Sequence, residues 1–146
     1  KPIAAAVSRL QSHTTSNPTS IAQYAAIEAY QMDQSILNDM RSIFNSRREL
    51  MIGLLKTIPG IAINNPQGAF YAFPKISGLF GKITNNDKKI TNSLDLCECL
   101  LEDANIACVP GIGFGSEGYM RLSYATSDDL ITEGLTRFSD WVSTLK

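Results

Sequence analysis

Apolar residues recur every three or four positions through the first 57 residues of the chain, a spacing typical of amphipathic helices. The pattern predicts one helix over residues 1–11, a second over about 20–31 and a longer third over about 33–57. The dipeptide Asn17-Pro18 marks a loop between the first two helices. Pro59-Gly60 ends the third helix. Thr19 or Ser20 can cap the second helix through its hydroxyl oxygen.

Beyond residue 60 the apolar period shortens towards two, and strands become the favoured elements. Four short strands are predicted, over residues 61–63, 69–73, 106–109 and 119–124. Two more helices are predicted, one between the second and third strands and one after the fourth. The first covers 94–103, and the last follows a capping Thr126 or Ser127.

The order of these elements predicts an α+β fold. From residue 34 onward the chain forms a small sheet with helices packed on one face, which is one of the standard layer architectures. Residues 1–33 carry two helices with no evident partner in that unit. We therefore expect 1–33 to belong to another domain and 34–146 to form one complete small domain.

Charge and length narrow the classes of function. The 146 residues include 13 Lys+Arg and 14 Asp+Glu, a net charge of −1, which excludes a nucleic-acid binder that works by a general basic excess. No apolar run approaches the roughly 20 residues that span a bilayer. The chain begins with Lys1 instead of Met, so targeting cannot be inferred from it, and we expect a further segment upstream.

The three cysteines favour a reduced, cytoplasmic protein. Cys97, Cys99 and Cys108 are odd in number, which argues against a disulfide framework. With the single distant His13 they do not form the paired ligand spacing of a structural zinc site. A Cys–His nucleophile pair is the alternative, and no local pattern supports it. The expected role of these thiols is that of small apolar side chains.

The run Gly111-Ile112-Gly113-Phe114-Gly115 raises the question of a phosphate-binding loop. It lacks the GK[ST] ending of a P-loop, and it leads into a strand instead of opening a helix. Helix N-termini are what provide backbone N–H groups for a phosphate. A sharp turn between two strands is the better interpretation.

Arg121 is the most informative charge in the chain. The predicted strand 119–124 alternates, so that Met120, Leu122 and Tyr124 form one side and Arg121 lies on the other. An Arg in the middle of a strand needs a partner or open water. Its planar guanidinium matches a carboxylate in two-pronged fashion. The pattern is compatible with two roles for Arg121, a surface salt bridge or an anion-binding site.

Three segments together resemble the aspartate aminotransferase family, which comprises pyridoxal-phosphate (PLP) enzymes of fold type I. They are Thr14–Gln23 around Asn17-Pro18, the stretch Pro66-Gln67-Gly68-Ala69-Phe70-Tyr71, and Val109–Ser127 with its Met120-Arg121-Leu122-Ser123-Tyr124 core. The segments occur in the family's order and roughly its spacing. The resemblance covers the chain end to end and is closest to the prokaryotic type within the family.

The resemblance implies roles for four residues. Arg121 lies where the family's Arg binds the α-carboxylate of the amino-acid substrate. Phe70 lies where the family has an apolar wall beside the substrate. Ser16 and Asn17 match a loop near the active site of the dimer partner, although a helix-capping turn explains them equally well. The same resemblance implies a homodimer, with residues 1–33 as a remnant of the large PLP-binding domain and 34–146 as the C-terminal small domain.

The cofactor is implied by the resemblance as well. The family's PLP forms a Schiff base with a Lys in a Ser-Lys…Gly-x-Arg-x-Gly-Tyr stretch, and the chain contains no such stretch. That Lys is expected upstream of Lys1. We therefore expect no catalytic residue in this chain, no stable PLP binding and no activity by the chain alone.

Substrate specificity is less well determined. Some family members carry an Arg at the start of the Asn-Pro loop for the distal carboxylate of a dicarboxylic substrate, whereas this chain has Gln11-Ser12-His13 there. Aspartate and 2-oxoglutarate are the substrates that overall similarity favours. An aminotransferase for aromatic or other amino acids is one alternative. A stand-alone, non-catalytic α+β binding module is another.

Overall fold

The computed structural model describes residues 1–146, which form two compact units, 1–38 and 39–146. The first unit contains helix α1 (Pro2–Thr14), helix α2 (Ser20–Gln31) and the first residues of helix α3 (Ser35–Leu55). No residue of α1 or α2 is buried. The Thr19 hydroxyl accepts a hydrogen bond from the Ala22 N–H at 3.4 Å, which confirms the capping role expected of this position.

The second unit contains most of α3 and every strand. In chain order the later elements are strand β1 (Tyr71–Ala72), a 3₁₀ turn (Ser77–Leu79), helix α4 (Ser93–Ala104), strand β2 (Val109–Pro110), a second 3₁₀ turn (Gly111–Phe114), strand β3 (Met120–Ser123) and helix α5 (Asp128–Ser143). The three strands form an antiparallel sheet in the order β1-β3-β2. The predicted α+β class is confirmed.

The strands are shorter than the apolar pattern predicts. Residues 61–63 contribute one bridge, between Ala62 and Lys75, where a strand is predicted. The strand predicted over 69–73 is confined to Tyr71–Ala72. Ala69 has a φ of +59°, which is outside the extended region, and Pro74 has no N–H to donate to a ladder.

The core of the second unit lies between the sheet and the helices. Met120, Leu122 and Tyr124 of the β3 segment are buried, as the alternation predicts. They join one cluster with side chains of α3, α4 and α5, among them Leu55, Leu96, Leu100, Leu135 and Phe138. Burying such side chains contributes about 1.5–3 kcal/mol each. The opposite face of β3, with Arg121 and Ser123, is left half-buried or exposed.

Helix α5 is fixed at both ends. The Ser127 hydroxyl accepts a hydrogen bond from the Leu130 N–H at 3.3 Å, and Asp128 and Asp129 lie in the first turn, where the helix dipole favours negative charge. Near the other end, the indole N–H of Trp141 donates to Asp103 of α4 at 3.1 Å. None of the helices combines the length and the hydropathy that crossing a membrane requires.

Cys97, Cys99 and Cys108 are free thiols. Cys97 and Cys99 are buried in the core, as expected for small apolar side chains. The structure also places Cys108 next to Cys97, a pairing that the spacing of the two residues does not suggest. The neighbouring Cys108 side chain and burial both raise the pKa of Cys97, which keeps this thiol protonated at neutral pH.

Candidate functional site

Arg121 lies on the central strand of the sheet, where both neighbouring strands can hold its surroundings in place. Val109 of β2 is its direct cross-strand partner. On the other side, Tyr71 of β1 pairs with Ser123, two residues further along β3. Because side chains two positions apart share a face, Tyr71 is a diagonal neighbour of Arg121. Arg121 as a residue is half-buried, on the sheet face that the core does not use.

Two aromatic rings contact the Arg121 guanidinium. Its central carbon lies over the Tyr71 ring, 4.4 Å from the ring centroid, and over the Phe114 ring at 4.8 Å. Both distances are within the roughly 6 Å over which a cation is attracted to an aromatic face. The rings lie against the planar face of the guanidinium and accept no conventional hydrogen bond from its N–H groups.

The aromatic contacts continue beyond these two rings. Phe70 packs on Tyr71 with ring centroids 4.3 Å apart. On the other side, Phe73 meets Phe114 edge-on at 5.9 Å and stacks on Tyr119 at 5.3 Å. Arg121 therefore lies within a continuous aromatic surface, and Phe70, the predicted apolar wall, is one ring away from the guanidinium.

No acidic side chain pairs with Arg121. Ion pairs elsewhere in the chain include Arg47–Asp128, Arg48–Glu49, Lys88–Glu98 and Arg137–Glu133, and none of them involves Arg121. The structure gives no support to the interpretation of Arg121 as one half of a salt bridge within the chain. A half-buried cation that lacks an internal anion and lies among rings is suited to an external carboxylate.

The glycine-rich run forms the turn between β2 and β3 that brings Phe114 to Arg121. The Gly111 N–H donates to the Tyr119 carbonyl at 2.8 Å, and the Ser116 N–H donates to the Gly111 carbonyl at 2.9 Å. A Cβ on Gly111 would overlap the carbonyl oxygens of Ser116 and Tyr119, so this position requires glycine. The sharp turn predicted between the two strands is confirmed.

Glu117 connects this turn to the start of α4. Its carboxylate accepts hydrogen bonds from the Ser93 N–H at 2.7 Å, from the Ser93 hydroxyl at 3.1 Å and from the Gly118 N–H at 2.8 Å. The Ser93 hydroxyl oxygen in turn accepts from the Ile112 N–H at 3.3 Å. The Gly118 contact first, and the two Ser93 contacts with it, lower the pKa of Glu117.

The backbone before Phe70 is held in an uncommon conformation by Tyr124. Ala69 has a φ of +59°, a left-handed conformation that costs a non-glycine residue roughly 1–2 kcal/mol. The buried Tyr124 hydroxyl donates to the Ala69 carbonyl at 3.0 Å, and the Tyr124 N–H donates to the Phe70 carbonyl at 2.9 Å. These two bonds set the direction in which the Phe70 ring leaves the chain.

Ser16 and Asn17 lie in the first unit, in the loop between α1 and α2. Ser16 has a φ of +57°, and its hydroxyl donates to the Ser12 carbonyl at 3.5 Å. The Asn17 amide donates to the Pro18 carbonyl at 2.9 Å. With Gln11 and other loop residues they line a surface depression of about 500 Å³. Their contacts are those of a turn, and their predicted place near an active site stays a prediction.

The side chains around Arg121 suit a carboxylate contact and not the attachment of PLP. A Schiff base requires a lysine amine that loses its proton. The groups described around the Arg121 guanidinium include no lysine amine. Arg121 itself contacts only aromatic rings among the groups described above. These residues are therefore suited to binding the substrate and not to attaching the cofactor.

Sequence reasoning did not assign roles to Tyr71 and Phe114. The signal for Tyr71 was present in the alternation of β1, where Ala72 is buried and Tyr71 and Phe73 share the opposite face. Phe114 carried no such signal, because it belongs to a 3₁₀ turn whose direction depends on Gly111.

An α+β unit that presents an unpaired, ring-bound Arg on its central strand is suited to binding the carboxylate of a small substrate. The family comparison agrees with the class expected from the motifs. The model of the family "Aminotransferase class I and II" matches residues 1–138, and the chain belongs to that family.

Individual relatives are similar over most of the chain. The aspartate/prephenate aminotransferase of Cereibacter sphaeroides is 42% identical over 132 residues, which are 90% of this chain and 33% of that protein. The crystal structure of an aspartate aminotransferase from Rhizobium meliloti superposes with a TM-score of 0.89 at 39% identity, over 94% of this chain and 34% of that one. An aromatic aminotransferase from Pyrococcus horikoshii gives 0.78 at 31% identity, over 92% and 34%. The chain thus spans about a third of the length of the relatives it matches.

Proposed function

We propose that the whole protein transfers an amino group from aspartate to 2-oxoglutarate with the help of PLP. In this proposal the present chain binds the α-carboxylate of the substrate through Arg121. The observation that carries the proposal is the Arg121 guanidinium, which contacts the Tyr71 and Phe114 rings and has no anion of its own. A charge-assisted contact of this kind is worth about 1.5–3 kcal/mol.

The remaining predicted site residues have supporting parts in the same proposal. Phe70 forms an apolar wall next to the bound substrate, in a direction fixed by the Tyr124 bonds to Ala69 and Phe70. Ser16 and Asn17 contribute to the site of a partner subunit in a homodimer. We place the protein in the cytoplasm, a location with which its free thiols agree.

PLP, when bound, withdraws electrons from the α-carbon of the amino acid and so makes its proton easier to remove. The Schiff-base Lys that holds the cofactor belongs, in this proposal, to a segment upstream of Lys1. The residues of this chain orient the substrate by its carboxylate and exclude water from one side of it with the aromatic surface. Orientation of this kind lowers the entropy cost of reaching the transition state.

Two other specificities have an observation in their favour. The Cereibacter sphaeroides relative is named for both aspartate and prephenate, so prephenate is a candidate acceptor. The Pyrococcus horikoshii structure is that of an aromatic aminotransferase, and the aromatic surface beside Arg121 would accommodate a ring-bearing donor. A non-catalytic binding module is the alternative in which the carboxylate contact serves recognition alone.

The test is an amino-transfer assay on the full-length protein encoded by the gene, supplied with PLP. We expect transfer from aspartate to 2-oxoglutarate with a kcat/KM about tenfold or more above that for phenylalanine or tyrosine, a difference of about 1.4 kcal/mol in transition-state binding. The 146-residue chain alone, as the matched control, is expected to be inactive. Preference for an aromatic donor would replace aspartate by an aromatic amino acid as the proposed substrate. Absence of transfer with every donor and acceptor, prephenate included, would favour the binding module.

A further inference from the structure

We propose that Tyr71 and Phe114 are positioning residues for the Arg121 guanidinium, and that their rings set the affinity of the site for a substrate carboxylate. This inference rests on the proposed function, because it assigns the two rings to the carboxylate contact made by Arg121. It concerns two residues that lie in the matching segments but to which the resemblance assigned no role. The physical question is what keeps the guanidinium in place on an open sheet face.

A long Arg side chain on a surface has several rotatable bonds, and ordering it costs rotamer entropy. An internal carboxylate normally limits this freedom, and Arg121 has none. The two rings take over that role at 4.4 and 4.8 Å from the guanidinium carbon. The entropy cost is then met in the folded protein and not at the moment when substrate binds.

The rings hold the cation without competing for its hydrogen bonds. An aromatic face attracts a guanidinium through its quadrupole and accepts no conventional N–H···O bond. The N–H groups of Arg121 therefore stay available to a carboxylate, which accepts two of them in parallel. Replacing either ring by an aliphatic side chain keeps the apolar contact and removes the cation–π attraction.

The positions of both rings are themselves fixed. Tyr71 is anchored by the pairing of β1 with β3 and by its contact with Phe70 at 4.3 Å. Phe114 depends on the turn that Gly111 permits, on the Glu117 bonds to Ser93 and on the edge contact with Phe73 at 5.9 Å. Because the Phe114 ring is 47% exposed, its position depends on the turn and on its ring contacts and not on burial in the core.

The experiment uses the full-length protein and a double-mutant cycle. Phe114→Leu and Tyr71→Leu are each combined with the wild-type Arg121 and with Arg121→Leu. With Arg121 present, we expect either Leu variant to raise KM for aspartate about three- to tenfold while kcat changes less. In the Arg121→Leu background the same substitutions are expected to add no further loss, because their partner is gone.

Conservative variants provide the readout that a purely structural role would not give. Tyr71→Phe and Phe114→Tyr retain a ring and are expected to keep KM within about twofold of the wild-type value. The matched control is Ile112→Ala, which removes a 53% exposed apolar side chain from the same turn. We expect no comparable change of KM in that variant. Thermal unfolding of each variant shows that the protein is folded.

The outcomes separate the inference from the proposed function. Unchanged kinetics for Arg121→Leu would overturn the carboxylate site itself. A loss for Arg121→Leu with wild-type KM for both Leu variants would overturn the inference and leave the site standing. Equal losses for the Leu variants in both backgrounds would also overturn it, because the rings would then act on the substrate directly.

Discussion

At the scale of single residues, two charges of this chain are held in contrasting ways. Arg121 is a cation held by rings, and Glu117 is an anion held by backbone and hydroxyl donors. The first is open to an external ligand, whereas the second is used internally to fix the turn before β3. The difference follows from what each side chain contacts.

Glu117 gives a prediction for the pH dependence of stability. Its pKa is lowered in the folded chain, so its contribution is fully present above the pKa of the unfolded chain and is lost as pH falls through the lower, folded value. Glu117→Gln is therefore expected to reduce the free energy of unfolding at pH 7 and to have a smaller effect at pH 3. Urea unfolding at the two pH values measures this.

The control for that measurement is Glu102→Gln, an exposed carboxyl on α4. It is expected to change stability little at either pH, since single exposed charges contribute little. A Glu117→Gln effect of the same size at pH 3 and at pH 7 would show that the carboxylate charge is not what holds the turn.

At the scale of elements, the sequence pattern predicted the helices well and the strands less well. Helices α2 and α5 were recognisable because the capping residues Thr19 and Ser127 coincide with the start of their apolar stripes. The strands of two to four residues are set by long-range pairing and by local conformations such as the positive φ of Ala69. A period of two cannot be measured over two residues.

The candidate site, too, could be predicted only in part from the sequence. Arg121 and the burial of its neighbours on β3 followed from alternation, and the roles of Arg121 and Phe70 came from the resemblance. The contact of Phe114 with Arg121 could not be predicted, because it depends on the path of the turn in three dimensions. Contacts of this kind require the backbone positions of two segments at once.

The turn between β2 and β3 can be tested through its glycines. Gly111→Ala would place a methyl group against the carbonyl oxygens of Ser116 and Tyr119, which are backbone atoms that cannot move alone. We expect it to lower the free energy of unfolding by about 2 kcal/mol or more. Gly113→Ala is the matched control, since nothing lies within 4 Å of its Cβ position. Equal stability of the two variants in urea would contradict the role of Gly111 in the turn.

At the scale of the whole molecule, the two units differ in how much of their surface is buried. Residues 39–146 contain the hydrophobic cluster around Leu55, Leu100 and Phe138, whereas α1 and α2 bury no residue. Short helices without packing are marginally stable in water. The boundary expected between residues 33 and 34 is close to the division between the units at 38 and 39, and its meaning as a domain boundary stays a prediction.

Hydrogen exchange of the 146-residue chain measures this difference. We expect the amides of α1 and α2 to exchange within seconds to minutes and those of α4 and α5 to exchange many times more slowly, because only the latter need opening of the core. Similar protection in all four helices would show that the first unit has a stable core of its own. Exchange followed by mass spectrometry resolves the helices separately.

The proposed binding of a substrate carboxylate by Arg121 is tested most directly by kcat/KM of the full-length protein for aspartate. We predict a loss of about tenfold or more in Arg121→Leu, and a smaller loss in Arg121→Lys, which keeps the charge and loses the planar two-pronged contact. Arg137→Leu, at an Arg of α5 that pairs with Glu133, is expected to retain wild-type kinetics. A wild-type kcat/KM in Arg121→Leu would contradict the account.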